Sequence, residues 1–356
     1  VVAVSRDRGT DGGVSGPVRS SSRPSMANRA DDSDQAALTG FGGKWSEPIT
    51  REEGVKLRRD AVQCDADGNR GISWRALQRR WRMWYDERRD AGLVYEKDGE
   101  RCTGPQENRF MQSYSDKMYA KLKDLERGLH ESYGRRFHTG LLTLTASSGR
   151  PGEWVPVVDH LKELLSSWEA VRRALHRSLD DSLRWEYLMV LEPHKSGYTH
   201  AHIAVFVDGE VSRETFEPVI DAHLRNCELA GRDAHEYENV ITVKRVAGER
   251  DRELGEIGNL GSYLGEYLGI YEGDALDAPE HVQAFNAVLW ATGHQRWRPS
   301  NGAQRHMVQA RLKGETAWEL IGVTYDGGET IEEVDPSAGG VNWTETWEDR
   351  PPPPRR

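Results

Sequence analysis

Cysteine is scarce in this chain of 356 residues. The three that occur, Cys64, Cys102 and Cys227, lie far apart with no Cys-x-x-Cys pair. That spacing speaks against a zinc ribbon or a disulfide scaffold and fits a reducing compartment. Long apolar runs are missing too: no stretch approaches the ~20 residues of a spanning helix, so a membrane protein is not expected. The N-terminus lacks the apolar core of a secretory signal, which makes a cytoplasmic location the expectation. No Gly-x-x-x-x-Gly-Lys-Ser/Thr loop is present, so the chain carries no ATP-driven helicase domain of that type. Basic charge is also in deficit, with 48 Lys and Arg against 58 Asp and Glu and a net charge of −10. Taken as an average, that balance argues against a nucleic-acid partner, because phosphate binding requires a basic surface.

The average hides an uneven distribution. Residues 314–349 hold ten acids and no base, whereas Arg51 to Arg89 hold eleven bases and seven acids. The acidity is therefore largely a C-terminal property. DNA contact, if it occurs, is local and lies on arginine-bearing surfaces. Composition divides the chain into four parts. Residues 1–40, rich in Gly, Ser, Arg and Asp, read as disordered; the first methionine is Met26, and the residues before it are set aside. Residues 41–113 form a helical, Arg-rich accessory region, 114–313 the main domain with its C-terminal extension, and 314–356 an acidic tail.

Hydrophobic periodicity supplies the elements. Ser73 can cap a helix to Arg89 on which Trp74, Leu77, Trp81 and Trp84/Tyr85 recur at helical spacing, flanked by Arg75, Arg79, Arg80 and Arg82. Such a helix either contacts DNA or simply solvates an arginine face. Tyr114 to Tyr133 is predicted helical, Phe137 to Ala146 a buried strand, and Pro156 to Leu179 one long helix. Trp185 to Glu192 and Thr199 to Val207 form two strands joined by the turn-rich Pro193–Gly197. A helix over Ser212 to Ala230, a strand over Asn239 to Val246 and a helix over Glu256 to Tyr271 complete the series. The order predicts an α+β fold: a central, mainly antiparallel sheet with flanking helices.

One stretch carries chemistry. In a strand, residues i and i+2 share a face, so His200 and His202 point the same way while Ala201, Ile203, Val205 and Val207 face the other layer. If the hairpin forms, Glu192 lies beside His200. Two imidazoles and a carboxylate suit a divalent ion and leave positions for water and a phosphate oxygen. The plain alternative is two ordinary histidines on a sheet surface. His194 and His223 are expected on the surface or in loops, with His194 a substitute ligand or phosphate contact. Tyr263 and Tyr267, i and i+4, share a helix face. Gly261, Gly265 and Gly269 form a second line, although each glycine costs about 1 kcal/mol relative to alanine in a helix. Such tyrosines are either packing residues or, next to a metal-polarised phosphodiester, nucleophiles.

In this order the motifs resemble the HUH endonucleases, and among them the rolling-circle replication initiators of small plasmids and viruses. Leu142-Thr143-Leu144-Thr145 matches the first motif of that family, His200-Ala201-His202 the second, and the helix with Tyr263 and Tyr267 the third. Arg296-Trp297-Arg298-Pro299-Ser300 is similar to sequence that follows this core in haloarchaeal initiators. The resemblance covers about half the chain. It implies an RRM-like HUH core and a Mg²⁺ or Mn²⁺ ion held by His200, His202 and Glu192. It further implies nicking and rejoining of single-stranded or hairpin origin DNA through Tyr263 or Tyr267, and a host helicase and polymerase as partners. Thr143, Thr145, Lys195, Arg296 and Arg298 are the expected DNA contacts. Two-tyrosine members carry a lysine three residues after each catalytic tyrosine; Glu266 and Ile270 stand there in this chain. Alternatives are an HUH transposase or relaxase with the same chemistry, a His-x-His metallohydrolase, and a non-catalytic DNA-binding protein.

Overall fold

Side-chain alternation decides how the centre of this fold is built. In the computed structural model, residues 43–62, 72–179, 182–247, 257, 260, 264, 273–307, 319–325 and 331–333 are described. Five strands make the central sheet: β3 (Phe137–Leu144), β6 (Trp185–Pro193), β7 (Thr199–Asp208), β8 (Ile241–Arg245) and β9 (Trp297–Pro299). Their order is β8-β3-β7-β6-β9, and every neighbouring pair is antiparallel; the short β4 (Gly149–Arg150) and β5 (Glu153–Trp154) pair only with each other. This is the α+β architecture expected, with the β6–β7 hairpin at its middle.

Each face of the sheet has its own apolar layer. Leu142, Leu144, Met189, Leu191, Ala201, Ile203, Val205 and Val207 point to one side. There they meet helices α3 (Val157–Ser166), α4 (Trp168–Ser178), α5 (Arg213–Asn226) and α7 (Glu280–Thr292). Leu141, Leu188, Val190, Ala204 and Phe206 point to the other side. There they meet Met118, Leu122, Leu125 and Leu129 of α2 (Gln112–Tyr133), together with Ala303 of α8 (Asn301–His306). Period-2 strands and a 3.6-period helix thus close two layers, each large side chain contributing about 1.5–3 kcal/mol on burial.

Three expectations are corrected. The helix predicted over Pro156 to Leu179 is two helices, α3 and α4, divided at Ser167. Its hydroxyl is buried and lies 2.7 Å from Nδ1 of His223. His223, expected at the surface, has no exposed area. Finally, the 41–113 region is not wholly helical. After α1 (Trp74–Arg88), which Ser73 caps through Ala76 N–H, it forms the hairpin β1 (Gly92–Lys97) and β2 (Glu100–Pro105). The turn is Asp98-Gly99, with φ of +52° and +82°, the left-handed pair that a two-residue hairpin requires.

The accessory region is tied to its neighbours. Trp74, Leu77, Trp81 and Tyr85 of α1 are buried in the layer that also contains α7. Arg75, Arg79 and Arg82 lie on the exposed face. Within the segment expected as an acidic tail, β10 (Glu319–Thr324) pairs with β1 and with the short β11 (Glu332–Glu333).

Burial leaves a pH signature. Desolvation pushes the His160 and His223 imidazoles down to about 4, although each bonds a main-chain carbonyl. Unfolded histidine titrates near 6.5, so the unfolded chain binds more protons between those values. Stability present above pH 6.5 is therefore lost as the pH falls towards 4. Denaturant unfolding at pH 7 and 4.5 is expected to show a loss roughly 2 kcal/mol smaller for His223→Gln than for the wild type. Parallel losses in the two proteins would show that His223 carries no such linkage.

Candidate metal centre

The strand register brings three ligands together. In the β6–β7 hairpin, Glu192 lies opposite His200 and Val190 opposite His202. On the other side of β7, Thr143 lies opposite His202. Glu192, His200, His202 and Thr143 therefore share one sheet face, the one covered by α2. One carboxylate oxygen, Oε2 of Glu192, is 3.2 Å from Nε2 of His202 and 3.7 Å from Nε2 of His200. The two imidazole centroids are 4.6 Å apart. All three potential ligand atoms lie within 4.8 Å of one another.

The ionisation state suits a cation. Burial alone raises the Glu192 carboxyl, but the two imidazoles outweigh it and hold the group at about 2. Burial pushes His200 below its ordinary value, against the pull of Glu192. The centre is thus a carboxylate facing an imidazole kept neutral, the state that metal binding requires. The second oxygen, Oε1, is buried, and among the described residues it has no hydrogen-bond partner. A buried acceptor on an ionised group is costly unless something satisfies it, and a divalent cation does. Glu192, His200 and His202 fit such an ion.

A second layer orients the first. Thr143 Oγ1 is 3.0 Å from Nδ1 of His202. With an ion bound, Nδ1–H would donate to that hydroxyl and leave the Nε2 lone pair for the ion; without one, Nε2–H donates to Glu192 Oε2 at 3.2 Å. The turn between the ligands is held from outside. Gly197, at φ +86°, packs so closely on Trp74 that a Cβ would come within 3.1 Å of the indole. Trp74 meets Tyr198 edge-on at 5.1 Å, and Tyr198 donates its hydroxyl to Val155 O at 2.7 Å. Lys44, buried against Trp45, donates to the Ser196 carbonyl. None of these clamps was foreseen from sequence; their partners lie too far apart along the chain for local pattern to reveal them.

The remaining predicted residues fall elsewhere. His194 and Lys195 are exposed in the turn, with the His194 ring 6.2 Å from that of His200. Thr145 turns to His235: its N–H donates to Nε2 at 3.1 Å. Arg298 pairs with Met189, and Arg296 lies over the Phe285 ring of α7 at 5.8 Å. Arg298 is therefore on the sheet face opposite the centre, whereas Arg296, just before β9, is buried within reach of the Glu192 charge. Tyr263 and Tyr267, with Gly261, Gly265 and Gly269, lie outside the described residues. Leu260 and Leu264 are described: both are helical, and both are buried in the layer that covers the metal-bearing face. Leu260 N–H also donates to Glu126 Oε1 of α2 at 2.8 Å.

Fold and site together define an α+β protein with a His-x-His and glutamate centre on an antiparallel sheet. The chain belongs to the family described as "Putative rep protein (DUF1424)", whose model matches residues 48–354. It is 43% identical over 303 residues to an "Uncharacterized 36 kDa protein" of Halobacterium salinarum, covering 81% of this chain and 95% of that protein. A second protein of the same description, from Halobacterium sp. (strain GN101), is 43% identical over 304 residues, covering 80% and 92%. No solved structure matches the chain. Among the described residues, no helix is long and apolar enough to cross a membrane.

Titration calorimetry with Mn²⁺ tests the centre. The wild type is expected to bind one ion, and Glu192→Gln and His202→Ala to lose binding. Thr143→Val, which removes only the hydroxyl behind His202, is expected to weaken affinity about 10- to 100-fold. Unchanged affinity in Glu192→Gln would rule out this centre.

Proposed function

We propose that this protein initiates rolling-circle replication by nicking and rejoining one strand of a plasmid or viral origin. The observation that carries this reading is the buried Glu192–His200–His202 set, with its unpaired carboxylate oxygen, in a member of a Rep family. The ordered match of three motifs to the HUH endonucleases supports it.

A divalent ion, Mg²⁺ or Mn²⁺, bound by those three side chains supplies Lewis acidity to a phosphodiester oxygen. The chain's own residues do the rest. Glu192, His200 and His202 would hold that ion on the sheet face and so set where the scissile phosphate is polarised. Tyr263 or Tyr267 is the nucleophile: its oxygen bonds to phosphorus as its proton leaves to solvent. The phosphorus–O3′ bond breaks and the leaving oxygen takes a proton from solvent, giving a 5′-phosphotyrosine link and a free 3′-OH. The bond energy stays in the phosphotyrosine, so rejoining needs no ATP. A second tyrosine at i+4 allows a second cut while the first link persists.

The helix carrying both tyrosines would dock through Leu260 and Leu264, which already lie over the metal-bearing face. With no P-loop in the chain, unwinding falls to a host helicase, and the 3′-OH primes a host polymerase. Lys195, Thr143, Thr145, Arg296 and Arg298 are proposed DNA contacts. Arg298 would hold strand that has passed around the sheet edge.

The decisive experiment incubates the protein with origin-derived single-stranded DNA and Mn²⁺, then identifies the DNA-linked peptide by mass spectrometry. A covalent adduct on Tyr263 or Tyr267 is expected. It should vanish in the double variant Tyr263→Phe/Tyr267→Phe, and His200→Ala should lose cleavage while retaining much of the DNA binding. An adduct that survives the double substitution would overturn the assignment.

A further inference from the structure

Three buried histidines that take no part in the metal centre converge on the end of β3. They come from separate places: His160 from α3, His223 from α5, and His235 just before α6 (Tyr237–Val240). None has exposed area. The sheet leaves a gap there for them to fill. Pairing of β3 with β8 ends at Leu142, and pairing with β7 ends at Leu144. Beyond those points the main-chain groups of Thr145 and Ala146 have lost their strand neighbours. Buried backbone groups must find other partners.

The histidines supply those partners. Nε2 of His223 is 2.9 Å from the Thr145 carbonyl, and Nε2 of His160 is 2.9 Å from the Ala146 carbonyl. Thr145 N–H donates to Nε2 of His235 at 3.1 Å. Main-chain chemistry dictates each tautomer. A carbonyl only accepts, so His160 and His223 carry hydrogen on Nε2. An N–H only donates, so Nε2 of His235 is bare, and its Nδ1–H donates to the Gly231 carbonyl at 2.7 Å. Nδ1 of His223 then accepts from the buried Ser167 hydroxyl at 2.7 Å. The His223 and His235 rings lie 5.1 Å apart, yet this is no second metal site, because the nitrogens of both are committed to these bonds. Desolvation pushes all three imidazoles down, which keeps them in these neutral forms.

Thr145 is two residues beyond Thr143, whose hydroxyl sits against Nδ1 of His202. We infer that His160, His223 and His235 are positioning residues for the metal centre: by gripping the main chain at Thr145–Ala146 they set where Thr143 meets His202. This rests on the reading of Glu192, His200 and His202 as metal ligands. Without the grip, β3 would end in two unpaired residues and fray towards Thr143. With it, the hydroxyl that orients a ligand is fixed from both directions.

The test reads Mn²⁺ affinity, with near-ultraviolet circular dichroism as the check on folding. Wild-type binding comes first; its absence would defeat the metal reading itself. Given binding, His235→Leu is expected to weaken affinity about 10-fold with all three ligands intact. His235→Gln, whose amide oxygen can accept from Thr145 N–H, is expected to recover most of that loss. Added to Thr143→Val, His235→Leu is expected to cost little more, because both act through one contact. If His235→Leu does not fold, Ser167→Ala is the milder cut. By freeing the His223 tautomer it is expected to weaken binding about 3-fold, less than the roughly 10- to 100-fold of a group that bonds a ligand directly. Wild-type affinity in the folded variant, or full additivity with Thr143→Val, would overturn the inference.

Discussion

A carboxylate is buried beside two imidazoles at the end of an antiparallel hairpin, and the remaining structure answers to that constraint. An ionised group taken out of water costs several kcal/mol unless it is paired and held in place. Here the pairing comes from His200 and His202, and the holding comes from cross-strand register. Register is a discrete quantity: a slip of one residue would turn Glu192, His200 and His202 to the opposite face. The two apolar layers prevent that slip, since it would also drive Met189, Leu191, Ile203 and Val205 out of their layer.

Packing outside the sheet serves the same end. The turn between the ligands has a glycine at positive φ pressed on Trp74, a tyrosine anchored to Val155, and a buried lysine over Trp45. Burial pushes that Lys44 ammonium down to about 8, against the pull of Glu280. Lys44 and Trp74 precede the turn residues they hold, Ser196 and Gly197, by more than a hundred residues, so the accessory region is part of the scaffold of the centre. The end of β3 is treated alike: where strand neighbours run out, His160, His223 and His235 replace them. In both places a polar group at the limit of the sheet is satisfied by a side chain from a distant element.

The charge balance takes on a different meaning in this light. A net −10 belongs largely to the C-terminal segment, yet that segment is not all solvated tail, because Glu319–Thr324 adds a strand beside β1. Arginine is correspondingly local. Arg75, Arg79 and Arg82 are exposed on α1, Arg298 lies on the sheet face away from the ligands, and Arg296 is buried within reach of the Glu192 charge. Nucleic acid reaching the centre would meet basic groups at separate points of the surface.

Much was legible without coordinates. Alternation over Trp185–Val207 specified a hairpin, and i, i+2 spacing placed His200 and His202 on one face, because a strand has period two whatever surrounds it. The apolar stripe of α2 and the Ser73 cap were equally local. Asp98-Gly99 is likewise a local hairpin signal, the two-residue turn between β1 and β2. What local pattern could not reveal were contacts between residues far apart in the chain. At the break the Ser167 hydroxyl bonds His223, 56 residues later, and no periodicity reports such a partner. The same holds for the Thr143–His202 contact and for the three histidines on β3. Sequence by itself determined which side chains could share a strand face, since that depends only on backbone geometry. Tertiary structure decided which of those faces meet, because burial and hydrogen bonding are satisfied only when the whole chain has closed around them.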